Sequence, residues 1–214
     1  MKNPFIFSFP RSGLHLTAKI INWPLHVNFE GMANFEYLQE QISKHNKEIL
    51  FTHQTLSMLN SNSLDSILNN CLSIFIVREP KDALISWYFM NDPIPEINED
   101  ERINRIRNFI WSPFLNSANR IILWKEQING YKKYHGQGLV IRYENLIQNY
   151  QVESQKIADY LSLSVSPTLP PIKSVELSRK GVVNDHRSYF DQKLIRQIDD
   201  ICKEEIEYIN TFLI

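Results

Sequence analysis

The segment Phe5-Ile6-Phe7-Ser8-Phe9-Pro10-Arg11-Ser12-Gly13 constrains this chain more than any other. Phe5 to Phe9 reads as a buried strand, and Pro10 to Gly13 make a tight exit turn. Beyond the turn, Leu14, Ala18 and Ile21 recur at i, i+4 and i+7, the stripe of a helix that Pro24 closes. Strand, glycine turn and helix start together form a geometry that binds phosphate. Amides at the helix end point into the turn, and the helix dipole favours an anion there. Arg11 adds a forked, permanently charged donor. The chain lacks the pattern G-x-x-x-x-G-K-[ST], so an ATP-type loop is not supported.

Other apolar runs resemble the first. Glu48 to Thr52, Leu72 to Val77 and Leu139 to Arg142 read as strands, with helical stretches between them. That alternation indicates βαβ units, an α/β fold and a mostly parallel sheet. Pro80 sits at a first helical position with Asp82 in the first turn, which reads as an ordinary helix start. From Glu99 to Ile110 acids precede arginines, and Ile103, Ile106 and Ile110 form a stripe. A last helix carries Ile195, Ile198, Cys202, Ile206 and Ile209 on one face. The least regular stretch, Leu161 to Phe190, holds Pro167, Pro170, Pro171 and the cluster Arg179-Lys180-Gly181.

Composition narrows the function classes. The 214 residues favour one domain, here residues 1–214. With 23 Lys and Arg against 24 Asp and Glu, the net charge of −1 argues against a general nucleic-acid binder. Two cysteines, Cys71 and Cys202, make no disulfide framework, and no Cys/His spacing resembles a zinc site. No apolar run approaches the roughly 18 residues a bilayer demands, and the start lacks a signal-peptide pattern. The expectation is a soluble, cytoplasmic protein without metal.

Two strand exits besides the first carry chemistry. Arg78 lies at the carboxyl end of Leu72 to Val77, where α/β folds place ligands, and Ser86 follows two helical turns on. His53 directly follows Thr52 and falls at the same sheet edge. An imidazole with an ordinary pKa of about 6.5 is mostly neutral at pH 7 and suits a general base. His15, His26, His45, His135 and His186 read as structural. Arg179, Lys180 and Gly181 suit closure over a phosphate, since glycine lets the backbone approach closely.

Taken together, these segments resemble the PAPS-dependent sulfotransferase family, whose members move a sulfuryl group from 3'-phosphoadenosine 5'-phosphosulfate to a hydroxyl or amine. Ser8-Phe9-Pro10-Arg11-Ser12-Gly13 is similar to the family's Y-P-K/R-S-G-T loop. Arg78-Glu79-Pro80-Lys81-Asp82 through Ser86 resembles R-x-P-x-D-x-x-x-S. Arg142-Tyr143-Glu144-Asn145-Leu146 resembles R-Y-E-D-L. Arg179-Lys180-Gly181, with Asp185 and Phe190, resembles R-K-G-x-x-G-D-W-x-x-x-F. The four segments occur in the family's order.

The resemblance implies a three-layer sandwich of P-loop NTPase-like type with helices flanking a central sheet. It implies that Arg11 contacts the transferring group while amides of Ser12, Gly13, Leu14 and His15 cradle the 5'-phosphate. Arg78, Ser86, Arg179, Lys180 and Gly181 would hold the 3'-phosphate, and Tyr143 would face the adenine. His53, in Phe51-Thr52-His53, matches K-T-H and would take the acceptor's proton. Trp124 matches a helical tryptophan expected in the core or pocket wall. PAPS is the implied donor and PAP the product, with a small-molecule or glycan acceptor and a compact bacterial-type enzyme. The aromatic residues Trp87, Tyr88, Phe89, Phe109 and Trp111 read as core or as an apolar pocket, near the Asp92 to Pro113 region where a lid would lie. Several positions depart from the pattern. Phe51 replaces the lysine, Leu14 and His15 replace threonines, Leu16 and His186 replace tryptophans, and Asn184 replaces a glycine. The rival readings are a non-catalytic PAP/PAPS-binding homologue and a P-loop nucleotide kinase.

Overall fold

The structure is a computed structural model that describes residues 2–28, 40, 44, 47–59, 61–91, 98–114, 117–134, 136–164 and 183–213. Its strands are β1 (Pro4–Ser8), β2 (Leu25–Asn28), β3 (Ile49–Thr52), β4 (Leu72–Val77) and β5 (Leu139–Arg142). They form one sheet in the order β2-β3-β1-β4-β5, and every pairing is parallel. Nine helices flank it: α1 (Leu14–Ile21), α2 (Ser61–Asn70), α3 (Pro80–Asn91), α4 (Glu99–Trp111), α5 (Arg120–Lys133), α6 (Tyr143–Gln148), α7 (Tyr150–Leu161), α8 (Gln192–Ile201) and α9 (Lys203–Asn210), counted among the described residues.

Burial on both faces explains why these segments are strands. Neighbouring residues of one strand face opposite sides. Phe5, Phe7, Leu50, Phe75 and Val77 join a cluster with residues of α2, α3, α4, α5, α8 and α9. Ile6, Ile49, Ile74, Ile76 and Ile141 join a second cluster with residues of α1, α6 and α7. Each fully buried side chain of this kind contributes about 1.5–3 kcal/mol. The result is the expected three-layer α/β sandwich with a P-loop-like sheet. Phe7, Phe75 and Tyr131 stack in series at the first interface, with ring centroids 5.0 and 4.9 Å apart.

Two expectations about elements change. The strand β2 escapes the sequence reading. It is four residues long, lies at the sheet edge and follows Pro24 directly. The last helix is two helices, because α8 ends at Ile201 and α9 starts at Lys203 around Cys202. The apolar stripe nevertheless runs on, with Ile198, Cys202 and Ile209 all 0% exposed. Both cysteines are free and buried, and burial pushes their thiols up to about 12. Among the described residues no helix is long and apolar enough to cross a membrane, and no group of three or more His, Cys, Asp or Glu is placed to hold a metal.

Candidate functional site

Parallel pairing puts every strand's carboxyl end on one edge of the sheet. Phe7 pairs with Thr52, Ser8 with Ile76, and Val77 with Arg142. Therefore the β1–α1 turn, His53, Arg78 and Tyr143, each just past a strand end, meet along that edge.

The turn itself is unusual. Ser12 N–H donates to the Phe9 carbonyl at 3.0 Å, closing a β-turn with Pro10 second and Arg11 third. Arg11 has φ 67, the left-handed conformation that marks the third residue of a type II turn. This costs a non-glycine residue on the order of 1–2 kcal/mol. Arg78 offsets the strain. Its Nη1 donates to the Arg11 carbonyl at 2.7 Å. The Arg11 side chain turns along α3, where Nε donates to Ser86 Oγ at 3.3 Å. Arg11, Arg78 and Ser86, expected to share one anionic ligand, are thus brought into one hydrogen-bonded group.

Gly13 caps α1 at φ 115 and ψ 13. A Cβ there would lie 2.8 Å from Tyr143 Cδ2. The Tyr143 ring lies beneath this glycine, 7% exposed, with the Arg78 guanidinium 4.1 Å above its centroid. Burial raises the Tyr143 pKa, and the Arg78 charge opposes it. Tyr143 therefore supports the turn and Arg78 from below. The first-turn amides of α1, at Leu14 and His15, face the turn as helix geometry dictates. The Ser12 amide is engaged by Phe9, so it joins the turn rather than the cradle expected from the sequence.

His53 is half-buried and its Nδ1 lies 2.6 Å from the Ser8 carbonyl. A carbonyl only accepts, so Nδ1 carries the proton, and in the neutral ring the basic lone pair is on Nε2. Phe51, in place of the family lysine, meets the imidazole edge to face at 5.8 Å.

Supporting contacts come from Trp124, expected in the core or pocket wall, and from Arg142 and Glu144, to which the sequence reading gave no role. Trp124 is 0% exposed, and its Nε1 donates to the Arg78 carbonyl at 3.2 Å. Glu144 accepts from the Glu79 amide at 2.9 Å and from Arg142 Nε at 2.8 Å, tying the β4 and β5 exits together. Arg142 Nη1 also donates to the Ile209 carbonyl at 2.6 Å, anchoring α9. Hence only the tyrosine of the Arg142-Tyr143-Glu144 stretch faces the site. The reading of Asp82 as a plain helix start needs correction: its carboxylate is 0% exposed and accepts from Asn184 and His186. Lys81, in the same helix start, is buried and paired with Glu79 and Asp199. The charges of those two acids outweigh its desolvation and raise its pKa. Of the aromatic residues, Trp87 and Tyr88 are core, while Phe89, Phe109 and Trp111 are partly buried against it. Arg179, Lys180 and Gly181 lie outside the described residues.

A sequence model for the sulfotransferase domain matches residues 2–169. The chain belongs to the sulfotransferase domain family. Among curated relatives of the chain, cytosolic sulfotransferase 9 of Arabidopsis thaliana is 20% identical, aligned over 90% of this chain and 66% of that protein. An amine sulfotransferase of Oryctolagus cuniculus is 24% identical, over 76% of this chain and 56% of that protein. The chain spans 55% to 66% of the length of the curated relatives it matches. A mouse sulfotransferase crystallised with PAP shares the fold at a TM-score of 0.71 and 20% identity, covering 96% of this chain and 84% of that one. Retinol dehydratase, solved with androsterone and PAP, gives a TM-score of 0.67 at 16% identity, covering 95% and 80%.

Proposed function

We propose that this sulfotransferase domain transfers a sulfuryl group from PAPS to a hydroxyl or amine of a small-molecule or glycan acceptor. One observation carries the reading: Arg11, Arg78 and Ser86 converge beside the amide end of α1, on the sheet edge that also presents His53. The residues present fit such a donor. Among the described residues, buried Ser12 Oγ and Arg78 Nε have no hydrogen-bond partner, so both can serve an anion at the turn. A side chain at position 13 would collide with Tyr143, which keeps the backbone open to close approach.

When bound, the donor supplies an activated sulfuryl group whose S–O bond to the 5'-phosphate breaks as the acceptor atom bonds to sulfur. His53 receives the acceptor's proton at Nε2, because Nδ1–H is fixed on Ser8. Arg11 and the α1 amides stabilise charge growing on the leaving phosphate oxygen. Arg78 and Ser86, with Arg179, Lys180 and Gly181, hold the 3'-phosphate, and Tyr143 supports Arg78. Positioning and charge stabilisation carry most of the rate, as in phosphoryl transfer.

The test is transfer of a radiolabelled sulfuryl group from PAPS to a panel of phenols, alcohols, amines and sugars. Transfer to one class, lost in Arg11→Ala, is the expected result. Donor binding with no transfer to any class would favour a non-catalytic binding homologue, a reading that Phe51 at the lysine position keeps in play.

A further inference from the structure

The first turn of α3 holds a carboxylate that the chemistry above does not use. An acid there ordinarily faces solvent near the helix amides. Asp82 instead is 0% exposed and directs both oxygens at residues 184–186. Asn184 N–H donates to Oδ2 at 2.6 Å, His186 N–H to Oδ1 at 3.1 Å, and His186 Nδ1 to Oδ1 at 2.6 Å. His186 is 4% exposed, and Asn184 has φ 63 and ψ 25, a left-handed conformation that asparagine tolerates. These contacts account for two departures from the family pattern. Asparagine replaces glycine where the backbone turns left-handed, and histidine replaces tryptophan where a ring donor meets Asp82.

Burial by itself raises the Asp82 pKa, but hydrogen bonds from His186 and the charge of Arg78 outweigh it and hold the group below the usual carboxylate range. Asp82 is therefore anionic at neutral pH, close to an arginine assigned to an anion. Such a charge opposes anion binding unless it does something else. Asp82 lies one helical turn before Ser86, and Asn184 is the third residue after Gly181.

We propose that Asp82 and His186 form a clasp that holds residues 184–186 against α3 and thereby sets the affinity for the donor's 3'-phosphate. Asp82 is a positioning residue, acting through Asn184 and His186. This rests on the donor-site reading given under Proposed function.

Electrostatics and positioning give opposite signs here. Removing the Asp82 charge beside Arg78 tightens any anion if charge alone matters. Asn at position 82 loosens the 3'-phosphate if the clasp matters, because its amide group cannot accept from the Asn184 and His186 donors as two carboxylate oxygens do. The experiment is calorimetric titration with adenosine 3',5'-bisphosphate and with AMP. It uses wild type, Asp82→Asn, His186→Ala and His186→Asn, and compares the ratio of the two dissociation constants. A role confined to stability leaves the ratio unchanged in the folded protein. The clasp predicts that the preference for bisphosphate falls about tenfold in Asp82→Asn, within the range of ordinary coupling between sites. His186→Ala lowers it in the same direction. His186→Asn, whose amide Nδ2 donates in place of Nδ1, restores most of it. An unchanged or increased preference in Asp82→Asn overturns the clasp. Should that variant not fold, equal ratios in His186→Ala and wild type overturn it instead. Wild type that binds AMP as well as the bisphosphate overturns the donor-site reading on which the clasp stands.

Discussion

Replacing Gly13 with alanine tests the geometry of the turn. Two costs add. At φ 115 an L-residue is outside its allowed regions, which costs roughly 1–2 kcal/mol. The new Cβ would sit 2.8 Å from Tyr143 Cδ2, where ordinary contact begins at 3.4 Å. The ring has to retreat, yet it is 7% exposed and lies under the Arg78 guanidinium. Overpacking of this kind costs about 1–3 kcal/mol. The sum, about 2–5 kcal/mol, corresponds to a fall in Tm of roughly 5–15 °C for a chain of this size. The assay is thermal unfolding followed by circular dichroism for wild type, Gly13→Ala, Tyr143→Ala and the double variant. In the Tyr143→Ala background the collision disappears and only the backbone cost remains, so the cycle should show a coupling of about 1–3 kcal/mol. Gly13→Ala melting within about 2 °C of wild type, or costing the same in both backgrounds, would refute the geometry.

Other positions give independent tests. Trp124→Phe removes the donor from the Arg78 carbonyl and should lower stability in urea by about 1–3 kcal/mol without changing the m-value; an unchanged midpoint contradicts the contact. The folded-state pKa of Asp82 is lowered, so its contribution is complete above the ordinary aspartate range and is lost as pH falls through the lowered value. Urea midpoints between neutral and acid pH should therefore fall more steeply for wild type than for Asp82→Asn, and parallel curves would contradict this. His53→Ala should lower kcat by about 10²- to 10⁴-fold with the identified acceptor, and Arg11→Ala at least as far. A His53, Arg11 double variant with intact turnover would remove the mechanism.

Much of the fold is legible in the sequence because its strands are buried on both faces. Continuous apolar runs such as Leu72 to Val77 leave little else for the segment to be, and that strand is found with the expected bounds. The edge strand β2 has four residues and no such run, so tertiary pairing with β3 rather than local pattern creates it. The break at Cys202 is invisible to periodicity because the stripe continues across it. The site divides the same way. Arg11, His53, Arg78 and Tyr143 each follow a strand, and strand ends can be read locally. Partners cannot. The Asp82 contact with His186 spans 104 residues, and Trp124 meets Arg78 across 46. Nothing local marks Asp82 as more than a helix-start acid. The available signal was the place of Asp82 in the R-x-P-x-D pattern, which does not say what it contacts.

The measurement that bears most directly on the site is calorimetric titration with adenosine 3',5'-bisphosphate, run beside AMP and ATP, with Arg78→Ala as control. If the sheet edge holds a 3'-phosphate, the bisphosphate binds with micromolar affinity, AMP does not match it, and Arg78→Ala abolishes the difference. No binding of the bisphosphate, or a preference for ATP with Mg²⁺, would contradict the assignment of Arg11, Arg78 and Ser86 to a sulfuryl donor.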